Sequence, residues 1–137
     1  MIRGLLDQVA GDDADQELSV ALDAADVFEA IRNNRRREVI LRLAAIEANE
    51  STDQPTTTIA ALAEHIAAVE GDAETVDRDH RRAVYIGLHQ SHLGKLDDLG
   101  IVSYDPRGTD VVAAADVTAL SELITAVEEA CDGGEQL

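Results

Sequence analysis

The sequence predicts a mainly α fold with a small β-hairpin near its C-terminal end and one more helix after it. Three observations carry this. Apolar residues recur at helical spacing in successive segments between Ala24 and Leu99. The pattern then turns strand-like between Ile101 and Val112. Helical spacing resumes from Asp116.

Residues 1–19 read as an acidic flexible tail, with Gly11-Asp12-Asp13-Ala14-Asp15 as solvated chain. The first helix starts near Ala24, capped by Asp23, with Val27, Phe28 and Ile31 on one face. Asn33-Asn34 interrupts it. A second helix, from about Arg35 to Ala48, turns Val39, Ile40, Leu43 and Ile46 inward. Residues 49–55 are a loop by their turn-forming composition. Thr57 or Thr58 then caps a third helix carrying Ile59, Leu62, Ala63 and Ile66, which ends before Gly71. After an acidic connection, Asp77 or Asp79 opens the longest helix, which ends at Gly100, where a left-handed residue is needed. Its apolar stripe is Val84, Tyr85, Leu88, Leu96 and Leu99, with His92 on the same side. Ile101–Tyr104 and Thr109–Val112 form the hairpin around the turn Asp105-Pro106-Arg107-Gly108. The last helix, 116–131, carries Val117, Leu120, Ile124, Val127 and Cys131 on one stripe, and residues 132–137 read as a mobile tail. Three helices followed by a two-stranded wing is the winged-helix order. The domain proper therefore spans 20–115.

Composition sets the remaining bounds. A chain of 137 residues, 45% of them hydrophobic, holds one core. With 2% aromatics, that core is built from Leu, Ile, Val and Ala. The 28 acids face 11 bases, a net charge of −17, and Lys95 is the one lysine. Such a balance is expected of proteins that work in molar salt, where short carboxylates hold water and cations at the surface. A disordered acidic chain and an acidic mimic of nucleic acid are the alternatives, and the helical periodicity over 20–130 opposes the first. A single cysteine, Cys131, excludes an internal disulfide and a Cys-based zinc cluster, and reads as a small apolar filler. No apolar run is long enough to span a membrane, and the N-terminus turns acidic too soon for a signal peptide. The expectation is a cytoplasmic protein.

The run Gln90-Ser91-His92-Leu93-Gly94-Lys95-Leu96-Asp97-Asp98-Leu99-Gly100-Ile101-Val102 resembles the end of the recognition helix in winged helix-turn-helix regulators of the ArsR type. Residues 26–31 and 35–41 are similar to the opening helices of that group, and 58–65 to its third helix. Arg35-Arg36-Arg37 and the run from Val84 to Gly100 are more similar still to a haloarchaeal winged-helix domain family of unknown function. The resemblance implies a long helix that can enter a DNA major groove and a wing that reaches the neighbouring backbone.

Bases cluster accordingly. Arg32, Arg35, Arg36, Arg37 and Arg42 lie on the first two helices, Arg78, Arg81 and Arg82 open the long one, and Arg107 sits at the wing tip. The DNA reading assigns contacts to Arg81, Arg82, Gln90, Ser91 and Arg107, with Arg35 and Arg36 on backbone phosphates. The opposing reading pairs these arginines with neighbouring acids such as Glu38. The outer face of the long helix, counted at 100° per residue, holds Ala83, Gly87, Gln90, Ser91, Gly94, Asp97 and Asp98, which is poor in the bases that ordinary DNA binding uses. The alternative function is therefore a protein-interaction module that does not bind DNA. The stripe Val117, Leu120, Ile124, Val127 either packs on its own domain or joins two copies as a homodimer. His89 and His92, three apart, read as structural, and no metal or cofactor is expected. No phosphate loop, nucleophile elbow or metal-hydrolase signature points to an enzyme.

Overall fold

In the computed structural model, residues 20–71 and 76–135 are described, the last four by backbone alone. The acidic tail assigned to 1–19, most of the connection after Gly71 and the last two residues lie outside them.

Helix α1 (Ala24–Ile31) is capped by Asp23, whose Oδ1 accepts from the Asp26 amide at 2.9 Å. Asn33 both breaks the chain and starts α2 (Asn34–Glu50): its side chain accepts from the Arg35 and Arg36 amides. Helix α2 closes on Ser51 in a left-handed conformation, φ 53°. Strand β1 (Thr56–Thr58) follows, then α3 (Ile59–Gly71), with Thr58 Oγ1 accepting from the Ala61 amide. Asp77 caps α4 (Arg78–Gly87). One π-turn (Leu88–His92) joins it to α5 (Leu93–Asp98), so the three pieces form one long helix. Gly100, φ +80°, turns the chain into β2 (Val102–Tyr104). The turn at Asp105–Gly108, closed by the Gly108 amide on the Asp105 carbonyl at 2.8 Å, leads to β3 (Asp110–Ala113). Asp116 caps α6 (Val117–Glu135) through the Ala119 amide.

The architecture is a winged helix with a C-terminal helix. Its sheet is antiparallel in the order β1-β3-β2, with Thr57 opposite Val111 and Tyr104 opposite Val111. Strand β1 is an addition to the expected hairpin. Thr57 or Thr58 reads as a helix cap, but β-branched residues also suit a strand, and β3 supplies the partner that a local pattern cannot show.

One core joins all layers: Ile40 and Leu43 of α2, Leu62 and Ile66 of α3, Leu88, Leu93 and Leu96 of the long helix, Ile101 and Val111 at the sheet, Leu120 and Ile124 of α6. No helix among the described residues is long and apolar enough to cross a membrane.

The π-turn explains a departure from the expected stripe. Core positions on the long helix run Val84, Leu88, Leu93, Leu96, a spacing of four, five, three. In an uninterrupted α-helix Leu93 would lie about 180° from Val84. The extra residue, marked by the Leu93 amide bonding back to the Leu88 carbonyl, returns Leu93 and Leu96 to the core side. Tyr85 is thereby left 37% exposed.

The last helix corrects two expectations and decides between two readings of its stripe. It continues to Glu135, through part of the expected tail. Cys131 is exposed rather than a filler. Of the two readings of the stripe, Val117, Leu120 and Ile124 follow the first, buried against their own domain, chiefly on α2, while Val127 remains exposed.

Candidate nucleic-acid interface

The long helix presents Arg82, Ile86, His89, Gln90, Ser91, Gly94 and Asp98 away from the core, all of them exposed. Gly87 belongs elsewhere. It lies under Arg35, and a Cβ there would meet Arg35 Nη1 at 3.3 Å. Asp97 is also turned aside, its Oδ2 accepting from the Tyr104 amide at 2.7 Å. A second link runs from the π-turn to the same residue: His89 Nδ1 and the Tyr104 hydroxyl are 2.7 Å apart, with the rings edge to face. The wing is thus fixed to the long helix by two links, both at Tyr104 of β2, while its tip is left open. Arg107 at that tip is 93% exposed, with its own neighbour Asp105 at 3.8 Å.

The arginine triplet of α2 is placed differently. Arg36 is 8% exposed. Its Nη1 donates to the Glu29 carbonyl and approaches Glu29 Oε2 at 3.3 Å, and its Nε donates to His92 Nδ1 at 3.4 Å. Arg35 makes a two-pronged bond to Glu70, Nε to Oε2 at 2.7 Å and Nη2 to Oε1 at 3.0 Å. Arg37 donates to the Ile31 carbonyl and the Asn34 side chain. Both guanidiniums assigned to DNA phosphates, Arg35 and Arg36, are turned to carboxylates within the domain. The acid that pairs with Arg36 is seven residues upstream, and the one that pairs with Arg35 is 35 downstream, not the adjacent Glu38.

These pairs set the local titration. The Arg35 bond outweighs partial burial and holds the Glu70 carboxyl below its usual range, and the same bond raises Arg35. At Glu29 burial pushes upward, but Arg32, Arg36 and Lys95 together hold the carboxyl low. His92 is pushed below its usual range by burial first, then by Arg36 and Arg35. It is the neutral acceptor that the Arg36 contact requires. Glu38 is raised, mainly by burial.

Among the sequence-assigned contacts, Arg82, Gln90, Ser91 and Arg107 are exposed and share the outer helix face or the wing tip. Arg81 is shared: its Nη1 lies 2.9 Å from Glu64 Oε1, with both side chains about half exposed. Such a surface pair is worth at most about 1 kcal/mol and exchanges readily. Arg78 and Arg42 make no ion pair among the described residues. Each histidine has a protein neighbour: His65 near Glu38, His80 on Glu70, His89 on Tyr104, His92 on Arg36. No group of three or more potential metal ligands occurs among the described residues.

The charge is unevenly divided. Residues 28–113 hold 10 of the 11 bases and 15 of the 28 acids; the remainder holds 1 base and 13 acids. The net charge is thus −5 in the first set and −12 in the second. No curated protein and no solved structure matches the chain. One family model does, over residues 28–113, from α1 to the end of β3 and most of the chain's length. The chain belongs to that family, described as a domain of unknown function, DUF7344.

Proposed function

We propose that this protein is a winged-helix DNA-binding regulator, working in the cytoplasm of an extreme halophile and related to ArsR-type regulators. The observation that carries this is the exposed set Arg82, Gln90, Ser91 and Arg107, on the outer face of the long helix and at the tip of a wing tied to it. Gln90 has the donor and acceptor pair that reads an adenine edge in the major groove. Arg82 and Arg107 are placed for phosphates on either side, and Arg81 joins them once released from Glu64. The acids concentrated outside 28–113 serve solubility in salt. In molar salt the release of counterions contributes little, so few basic contacts are needed. A homodimer on a two-fold site is the form that helix-turn-helix regulators commonly take.

The test is selection of a randomised duplex library by the purified chain in molar potassium chloride, followed by sequencing. Enrichment of a discrete motif that is lost in the Arg82→Ala/Gln90→Ala variant is expected. A flat profile from folded protein would reject the reading.

A second reading has its own observation. Ile86 is 42% exposed on the same face, beside Tyr85, which is an apolar pair where DNA would sit. A protein-interaction module without DNA accounts for that pair. Loss of a co-purifying protein on Ile86→Asp, together with a flat library profile, would favour it.

A further inference from the structure

The π-turn of the long helix brings a third side chain out beside Gln90 and Ser91. Four residues stand between the buried Leu88 and Leu93, where an ordinary α-turn has two or three, and three in succession, His89, Gln90 and Ser91, are exposed. Turns of this kind recur at functional sites. His89 also has its ring held in place. Its Nδ1 lies 2.7 Å from the Tyr104 hydroxyl, and the two rings meet edge to face, 6.3 Å between centres and 89° between planes.

Tyr104 settles which ring nitrogen carries the proton. It is 6% exposed, and a buried hydroxyl needs an acceptor. His89 Nδ1 is the one partner of that hydroxyl among the described residues, so the O–H donates to Nδ1 and the proton of the neutral imidazole sits on Nε2. Among the described residues, no protein group takes up that second N–H. Tyr104 is itself held through its amide, which donates to Asp97 Oδ2 on the same long helix. The outer face therefore carries one donor that is set before a partner arrives, so little freedom is lost on binding.

We infer that His89 reads a guanine in the major groove, at the position next to the one read by Gln90. This rests on the DNA-binding reading above. Guanine presents two adjacent acceptors in that groove, O6 and N7. Adenine sets an amino donor beside its N7, and cytosine offers a donor, which opposes a lone N–H. A phosphate suits His89 less, because Arg82 and Arg107 are the charged groups placed for the backbone. Tyr104 is a positioning residue: it fixes the proton and the direction of the His89 ring and does not touch the base.

Two measurements test this, the first without DNA. Long-range proton–nitrogen NMR of the histidine rings, in molar potassium chloride and mildly alkaline buffer, should show His89 in the Nε2–H form. Removing the hydroxyl by Tyr104→Phe should raise the share of the Nδ1–H form. The measurement on the unaltered chain stands even if a variant fails to fold. The second selects a randomised duplex library with the unaltered chain, His89→Ala and Tyr104→Phe. In His89→Ala the preference for guanine at one position should fall about fivefold or more, with the rest of the motif kept. In Tyr104→Phe, which keeps the ring, the fall should be smaller. If His89 only ties the wing to the helix, both variants lose the same tie and should weaken binding alike without changing the chosen base. A motif that His89→Ala leaves intact at every position, a uniform loss of affinity with the guanine kept, or the Nδ1–H form in the unaltered chain would each overturn the inference and leave the DNA reading standing. A flat profile from the unaltered, folded chain would overturn both.

Discussion

Two groups of arginines, equally basic on paper, have opposite fates in this molecule. The triplet Arg35-Arg36-Arg37 is the densest run of positive charge in the sequence, yet each guanidinium is turned to an acceptor within its own domain. Arg82 and Arg107 stand 25 residues apart and end on the solvent side of the long helix and the wing tip. The difference lies in where each side chain leaves its helix. Helix α2 is packed on several sides, so its arginines emerge into seams where acids from α1 and α3 meet them. Among the described residues, no acid from another element meets Arg82 on the outer face of the long helix or Arg107 at the wing tip. A run of like charge in sequence is therefore a weak guide to a charged surface; what decides is whether the element carrying it has a free face.

Removing the most enclosed arginine should break the contrast most visibly. Arg36→Ala withdraws a nearly buried cation from Glu29 and leaves that acid to Arg32 and Lys95. The expected loss is about 3 kcal/mol of stability, read by denaturant titration in molar potassium chloride. A loss under about 1 kcal/mol would mean that Arg36 is in effect a surface residue, and the distinction between the two groups would fall.

Arg35→Ala should cost less. Its bond to Glu70 has good geometry but is partly open to water, and solvent screening discounts it. About 1 kcal/mol is expected by the same titration. The Glu70→Gln change should cost a similar amount, and the double variant should cost less than the two added together, because the two residues share one interaction.

The helix limits were legible because their signals are local. Asp23, Thr58, Asp77 and Asp116 each cap the helix that follows, and Gly100 has the positive φ that its place after the long helix called for. Three features escaped because they depend on distant partners. Strand β1 exists only against β3. The partner of Arg35 lies 35 residues away, and nothing in the triplet points to it. The π-turn had a trace in the sequence, since Leu88 and Leu93 stand five apart. Read at a constant 100° per residue, that spacing put Tyr85 inside, whereas it is 37% exposed. The exposure of Arg82, Gln90, Ser91 and Arg107 follows from their place on the long helix and wing; the enclosure of Arg35 and Arg36 is set by packing that the sequence pattern does not show.

The pH response should sharpen the comparison further, since His92 reports on the enclosed group. Its folded value lies below the ordinary 6.5, so the unfolded chain takes up a proton there before the folded one does. The stability that comes from keeping His92 neutral is complete above about pH 6.5 and is lost as the pH falls toward the depressed value. Stability measured across that window should fall on acidification, and His92→Gln should flatten the fall. A wild-type profile that stays flat down to pH 5, with the histidine variant matching it, would show that His92 and Arg36 do not meet as described.

The smallest expected effect on stability is also the one most informative about function. Arg82 and Arg107 are both exposed, and exposed positions of this kind change stability by no more than about 0.5 kcal/mol. The Arg82→Ala/Arg107→Ala variant should therefore unfold at the same denaturant concentration as the parent. If the outer face meets DNA, affinity for the selected duplex should fall by about tenfold or more, with little change in which sequence is preferred, because phosphate contacts set affinity and base contacts set choice. Gln90→Ala should do the reverse and relax the preferred sequence at one position. Equal stability with unchanged affinity would leave the two exposed arginines without a partner in DNA and give the face to Ile86 and Tyr85. Reduced stability would show that the outer arginines are held as firmly as the inner ones, and that the division between the two groups is not real.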